Sequence, residues 1–330
     1  LPYVFEGGDA ARPIDAWFES MSGFTATGSS IMADIPSHGR GILFWRQFSQ
    51  WLGGMGIIVL ALAVLPRLSV GGRQLMENES PGMEFEKLSP RIRETAKRLW
   101  LLYVGFSGLQ AVLLLAVGLL GLSPGMDLYH ALSYTFAAMS TGGFAPDPRS
   151  LDGFGAWSQW ICLAFMAISA ISYSLWYRGI FRSRRWFRRD EELRWFLAIL
   201  VASAAVVSIE IWHAGLYDLP HSVTHGAFQV VSIMSTTGLA STDFAPWPQL
   251  TLYVLVGLML VGGCAGSTAG AVKVARFALS WKVMRRELMT TVHPRRVQPI
   301  RLSGRPVEEA AVRAALAFTL LYLSVFLLGT

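Results

Sequence analysis

Charged residues are scarce in this chain: they make up 15% of its 330 residues, whereas 53% are hydrophobic. A soluble domain usually carries about 25% charge, so the composition argues against a soluble protein. Cysteine is scarcer still, because only Cys162 and Cys264 occur, both inside apolar stretches and without partners at metal-ligand spacing. We therefore expect a membrane protein with no disulfide framework, no cysteine metal site and no cofactor.

Long apolar stretches are what the chain has instead of charge. Six of them suit a helix that crosses a hydrocarbon core, which takes about 20 residues. They are 42–65, 99–122, 157–176, 195–216, 250–280 and 310–329. Three shorter runs lie between them, at 15–27, 128–141 and 222–237. Because these runs are too short to span, we predict that they are re-entrant segments.

Basic residues alternate along the chain with these short runs. Segments 67–98, 178–194 and 273–313 carry seven, seven and ten Lys and Arg, while 1–41, 121–156 and 213–249 carry two, one and none. Lys and Arg mark cytoplasmic loops, so the short runs are predicted to enter from the outside. The same rule explains the Arg-rich stretch 182–189 as a cytoplasmic anchor, and nucleic acid is not an expected partner.

Each short run ends in a Thr-Gly pair, and the three runs align on these pairs without gaps. The pairs are Thr27-Gly28, Thr141-Gly142 and Thr237-Gly238. Glycine lets backbone carbonyls approach an axis, and carbonyls with threonine hydroxyls can replace the hydration shell of a monovalent cation. The partially negative C-terminal end of each preceding helix would favour a cation there. The pattern predicts a pore lining that selects a monovalent cation.

An acidic residue follows each glycine by five or six positions, at Asp34, Asp147 and Asp243. Carboxylates on an outer face with few cations would concentrate cations at the pore mouth. Aspartate is also a common turn residue, and the sequence leaves both interpretations open.

The last span of the third copy is interrupted by small and polar residues. They are Gly262, Gly263, Cys264, Ala265, Gly266, Ser267, Thr268, Ala269 and Gly270, with Lys273 at the inner end. A phosphate-binding loop is excluded because no Gly-Lys-Ser/Thr follows. Close helix packing through small residues is one interpretation. The other is a mobile gate below the filter, found only in the third copy because the second has plain Ala167-Ile168-Ser169 there.

Span, short run and span together form a repeat. The predicted units are 1–66 (second half of unit 1), 99–181 (unit 2), 195–285 (unit 3) and 308–330 (first helix of unit 4). The fold class predicted is all-α and membrane-integral, with potassium-channel-like units around a pseudo-fourfold pore. We expect the chain to be a fragment of a four-unit protein.

Four stretches carry a resemblance to a known family. They are 22–30, Met139-Ser140-Thr141-Gly142-Gly143-Phe144, Thr236-Thr237-Gly238 and, most specifically, the glycine-rich stretch 262–270. These resemble the Trk/Ktr/HKT superfamily of potassium transporters, and within it the bacterial TrkH-type subunit. The resemblance spans nearly the whole chain.

The resemblance implies four membrane-pore-membrane units in one chain, a homodimer in the cytoplasmic membrane, and inward movement of potassium. It places Gly28, Gly142 and Gly238 on the filter glycines and 262–270 on an intramembrane gating loop. It also implies a cytosolic TrkA-type nucleotide-binding regulatory subunit, and Gly28 favours potassium over sodium. The family's fourth filter segment with its following helix, and an arginine that the family places in the fourth unit near the gating loop, cannot be located in this sequence.

The function predicted is therefore passive or ion-coupled potassium uptake across the lipid bilayer, with no enzymatic chemistry. Two alternatives stay open. One is a secondary transporter of sodium or another small solute, since broken helices also build such sites. The other is a non-conducting membrane partner subunit.

Overall fold

The computed structural model describes residues 2–63, 92–293 and 299–329. Most of the predicted basic loop 67–98 and the end of the first predicted unit, at 66, lie outside the described residues. The helices are α1 (Pro2–Glu6), α2 (Pro13–Phe24), α3 (Arg40–Ala63), α4 (Ile92–Leu119), α5 (Leu128–Met139), α6 (Ala156–Ser169), α7 (Tyr173–Phe181), α8 (Arg185–Arg189), α9 (Glu191–His213), α10 (Leu219–Met234), α11 (Gln249–Met259), α12 (Val274–Val292) and α13 (Glu309–Gly329). Short 3-10 turns at Gly8–Ala10 and Ile35–Ser37, and one hairpin of β1 (Arg301–Leu302) and β2 (Arg305–Pro306), complete the described elements.

Helices α2, α5 and α10 coincide with the three predicted re-entrant runs. Proline opens α2 at its first position, where the missing N–H costs nothing. Asp127 and Asp218 cap α5 and α10 by accepting hydrogen bonds from backbone N–H groups in the first turn. The hydrogen bond from the His221 side chain lowers the pKa of Asp218. These caps fix where each short helix begins.

Within the described residues, three helices are long and apolar enough to cross a membrane: α4 from Ala96, α9 and α13. Their outward side chains are apolar, since Leu101, Val201 and Leu320 are each more than 60% exposed. Such exposure suits contact with lipid rather than with water. Together with the family given below, these features confirm an all-α membrane protein.

The span predicted over 157–176 is divided between two helices. Helix α6 ends at Ser169, α7 begins at Tyr173, and the two are bent by 95°. The break is stabilised by hydrogen bonds to the glycine-rich loop: Cys264 N donates to Ala170 O at 2.8 Å, and Tyr173 N donates to Gly266 O at 3.1 Å. The interruption of the second copy is short, since only residues 170–172 separate α6 from α7, and the long glycine-rich insert lies in the third copy.

The predicted interruption of the third copy is present. Helix α11 ends at Met259 and α12 begins at Val274, so the glycine-rich stretch lies between two helices. Helix α12 then runs to Val292, beyond residue 280, where the predicted apolar span ends. The helix continues past the apolar stretch into the basic segment that follows.

The units pack in sequence order. Helix α3 contacts α5, and α6 contacts α10, so the second helix of one unit lies against the short helix of the next. The largest buried cluster of the described residues joins α7, α9, α10 and α11 around Phe196, Met234 and Leu255. This packing brings the C-terminal ends of the short helices towards one region.

Candidate functional site

The three segments that follow the short helices share one backbone conformation. Ala26, Thr141 and Thr236 have φ of 52°, 53° and 58°, and two residues later a glycine has positive φ in each copy. Those glycines are Gly28, Gly143 and Gly238, with φ of 80°, 79° and 84°. The hydrogen bonds agree, because Thr27, Gly142 and Thr237 each donate to the carbonyl five residues earlier.

This geometry corrects the gapless alignment of the second copy by one residue. Gly143, not Gly142, is equivalent to Gly28 and Gly238, and Gly142 takes the position of Thr27 and Thr237. The physical reason is that only glycine adopts φ near 80° without strain, so the second glycine of the pair fills that position. Thr141 accordingly lies one residue before the position predicted for it.

The three segments meet at one cavity of about 410 Å³. Its lining consists of Thr27, Gly28, Ser29, Gly142, Gly143, Ile233, Thr236, Thr237, Gly238, Met259, Ala271 and Tyr322. Five of the six predicted filter residues are thus brought together, and Thr141 is not among the lining residues. Its hydroxyl instead donates to Ser140 O at 2.6 Å.

Neighbouring segments touch through their backbones. A Cβ placed on Gly28 would lie 2.0 Å from Gly142 O, and one on Gly143 would lie 1.8 Å from Thr237 O. Both distances are far below a van der Waals contact, so these positions admit no side chain. The first segment therefore adjoins the second and the second adjoins the third, in the order expected around an axis.

A buried ion pair that the sequence reasoning missed supports the first segment. Arg46 on α3 lies 3.3 Å from Glu19 on α2, and both side chains are at most 1% exposed. Glu19 also accepts hydrogen bonds of 2.7 Å from Ser30 Oγ and Ile31 N, just past the filter. The guanidinium carbon lies 4.0 Å from the ring centroid of Phe144 in the second copy. The pair therefore braces two adjacent Thr-Gly segments.

The glycine-rich loop lies directly against the third Thr-Gly segment. Gly270 N donates to Thr236 Oγ1 at 2.6 Å. Thr268 Oγ1 donates to Met139 O, at the end of α5, and to Ser169 O, each at 3.2 Å. The loop thus contacts the third Thr-Gly segment, a short helix and the bend between α6 and α7.

The opposite side of the loop is anchored by Glu192, in the first turn of α9, which the sequence reasoning also missed. Its Oε1 accepts hydrogen bonds from Ala265 N at 2.6 Å and from Ala275 N at 3.2 Å. Ala275 lies in the first turn of α12, where a carboxylate also stabilises the positive end of the helix. One buried carboxylate therefore holds both the loop and the helix that follows it.

The ends of the loop are held together by its own backbone. Gly262 N donates to Val272 O at 2.9 Å, and Val274 N donates to Gly263 O at 3.2 Å. Lys273 donates from Nζ to the carbonyl of Ala269 and interacts electrostatically with Glu192.

The three predicted outer-mouth carboxylates do not line the cavity. Asp147 accepts a hydrogen bond from Tyr134 Oη at 2.9 Å, and Asp243 accepts one from Ala245 N at 2.9 Å. Asp34 is exposed and precedes a 3-10 turn. The bond of Asp243, to a backbone N–H two residues later, is of the kind that turn residues make.

The missed residues had a visible signal. Glu19, Arg46 and Glu192 are charged residues within or beside apolar segments, where charge is costly and usually functional. Their partners come from other helices, and the sequence alone does not identify them.

Comparison with known proteins agrees with this geometry. A profile of the family TrkH, described as a cation transport protein, matches residues 4–330. The Trk system potassium uptake protein TrkH of Halomonas elongata is 38% identical over 332 residues, covering 99% of this chain and 67% of the relative. The protein of the same name from Escherichia coli (strain K12) is 37% identical over 333 residues, covering 100% of this chain and 68% of the relative.

A solved structure is similar as well. The crystal structure of the potassium transporter TrkH from Vibrio parahaemolyticus matches with a TM-score of 0.81 and 35% identity, over 95% of this chain and 64% of that chain. The chain thus spans about two thirds of the length of the relatives that it matches. By the family match over nearly all its residues and by this identity to its relatives, the chain belongs to the TrkH family of cation transport proteins.

Proposed function

We propose that this chain contributes three of the segments of a potassium filter and takes part in potassium uptake across the cytoplasmic membrane. The family consists of cation transport proteins, so the chain is a multi-pass membrane transport protein and not an enzyme. The observation that carries the proposal is the convergence of three like-folded segments, ending short helices α2, α5 and α10, on one cavity.

The chemistry of that cavity suits a monovalent cation. Its lining offers backbone carbonyls and the hydroxyls of Thr27, Thr236 and Thr237. Such oxygens can replace the hydration shell of potassium. Three helix C-terminal ends point their partial negative charge at the same place, which lowers the energy of a cation at that depth.

The proposal is tested by ion flux. Full-length protein in liposomes under a potassium gradient should pass potassium in preference to sodium. Flux of sodium at the same rate would favour the alternative of a less selective transporter, and the absence of any cation flux from folded protein would support the non-conducting alternative.

The gate is the second part of the proposal. We infer that the glycine-rich loop 262–270 closes the pore below the filter. It opens when its hydrogen bonds to Thr236, to the carbonyls of Met139 and Ser169, and to Glu192 are broken. The support is position, because Ala271 at its end lines the cavity and Gly270 bonds to a filter threonine. Glycines give the loop the backbone freedom that such a movement requires.

Partners complete the proposal. The relatives are named as parts of a Trk system, which implies further subunits. We propose a homodimer and a cytosolic TrkA-type nucleotide-binding regulatory subunit. Lys282, Arg285 and Arg286 on α12 line a second cavity, of about 350 Å³, on the basic side of the molecule, and they offer a surface for such a subunit. Copurification of tagged full-length protein with a TrkA-type protein, and its loss when Arg285 is changed to glutamate, would test this.

A further inference from the structure

One glutamine of α3 reaches into the filter of the next unit. Gln50 is fully buried, and its amide bonds twice to the backbone of the second segment. Nε2 donates to Gly142 O at 2.8 Å, and Phe144 N donates to Oε1 at 3.0 Å. Both ends of the amide are thus satisfied by one filter segment.

The second segment differs from the others at the position that Gln50 contacts. In the first segment the hydroxyls of Thr25 and Thr27 lie 2.7 Å apart, within hydrogen-bond distance. In the third, Ser235 and Thr237 make the same contact at 2.7 Å. Gly142 occupies this position in the second segment and has no side chain to make it.

Gln50 fills the space that a threonine would take there. A Cβ placed on Gly142 would lie 2.5 Å from the amide carbon of Gln50 and 2.7 Å from its nitrogen and oxygen. The φ of Gly142 is not in the left-handed region, so the backbone itself would accept a side chain. It is the glutamine that excludes one.

We propose that Gln50 is a positioning residue that determines specificity. Its amide, which comes from the first unit, takes the place of the threonine that the second filter segment lacks. This rests on the proposed function of the three segments as a potassium filter. The carbonyl that Gln50 holds belongs to Gly142 and also faces Gly28, at the junction of the first two segments. Discrimination between potassium and sodium depends on where filter carbonyls are held and how strong their field is, so this contact bears on selectivity.

The test is the permeability ratio of potassium to sodium, measured by reversal potential with full-length protein in bilayers. Gln50→Ala should lower the ratio by about three- to tenfold, the effect of one net hydrogen bond. Gln47→Ala is the matched control, because Gln47 is buried one turn earlier on α3. Its side-chain amide makes no hydrogen bond within the described ranges. Its ratio should equal that of the wild type.

A rescue variant separates positioning from simple packing. Gln50→Ala combined with Gly142→Thr gives the second segment the threonine of the other two and should recover most of the lost ratio. If Gln50→Ala does not fold, Gln50→Glu, which keeps the acceptor for Phe144 N and loses the donor to Gly142 O, should show the same fall.

The outcomes are distinct. Wild-type protein that conducts without preferring potassium would overturn the proposed function itself. A selective wild type whose ratio is unchanged in folded Gln50→Ala or Gln50→Glu would overturn only the role of Gln50. A ratio that falls equally in Gln50→Ala and in the rescue variant would assign Gln50 to packing and likewise overturn the proposal.

Discussion

Changing Glu192 to glutamine tests whether its carboxylate keeps the glycine-rich loop closed. The side chain is 8% exposed and accepts two backbone hydrogen bonds, from Ala265 and Ala275. A hydrogen bond to a charged group contributes about 1.5–3 kcal/mol, roughly twice that of a neutral bond. Glutamine keeps the shape and one acceptor oxygen but loses the charge, so we expect the closed state to lose about 1.5 kcal/mol. That loss raises the open-to-closed ratio about tenfold.

The assay is basal potassium flux from liposomes that contain the full-length protein without any regulatory subunit. Glu191→Gln is the matched control, because the neighbouring carboxylate accepts a hydrogen bond from Ser303 N and pairs with Lys282, away from the loop. We expect Glu192→Gln to raise basal flux about tenfold and Glu191→Gln to leave it near the wild-type value. Equal basal flux in both folded variants would refute the reasoning that Glu192 holds a gate.

Two further substitutions test the filter and its support. Gly143→Ala should abolish selective flux, because the added Cβ would lie 1.8 Å from Thr237 O and the residue has a φ of 79°. The gapless alignment instead gives the filter-glycine position to Gly142. Normal potassium selectivity in folded Gly143→Ala would therefore contradict the corrected alignment. Arg46→Met should lower the free energy of unfolding by about 3–5 kcal/mol, because it leaves the Glu19 carboxylate buried without its partner. Thermal unfolding in detergent measures this, and Arg40→Met, on the exposed first turn of α3, is the control. The same unfolding midpoint in both variants would refute the stabilising role of the ion pair.

Much of the fold could be predicted from local features of the sequence. The short helices follow from short apolar runs between longer ones, and Asp127 and Asp218 mark two of their starts. The all-α fold and the family were predicted and are confirmed, since the glycine-rich stretch and the repeated Thr-Gly pairs are specific.

What could not be predicted depends on contacts between distant residues. No glycine or proline marks the bend after Ser169 in the sequence. The bend is stabilised by hydrogen bonds to Cys264 and Gly266 of the loop, nearly a hundred residues later. Which of Gly142 and Gly143 takes the filter-glycine position depends on a backbone conformation that either glycine can adopt, so the sequence does not distinguish them. The partners of Gln50 likewise come from another unit, and those of Glu192 lie more than 70 residues later in the chain, so the polarity of both residues was visible but their role was not.

The central claim is that the segments ending in Gly28, Gly143 and Gly238 form a potassium filter. The measurement that tests it most directly is the potassium-to-sodium permeability ratio of full-length wild-type protein and of Gly238→Ser, taken from reversal potentials in the same bilayer system. Gly238 has φ of 84°, which disfavours any side chain, so serine should distort the carbonyls and bring the ratio towards one. A strongly potassium-selective wild type with a reduced ratio in Gly238→Ser is the predicted result, whereas the same ratio in both proteins would contradict the account.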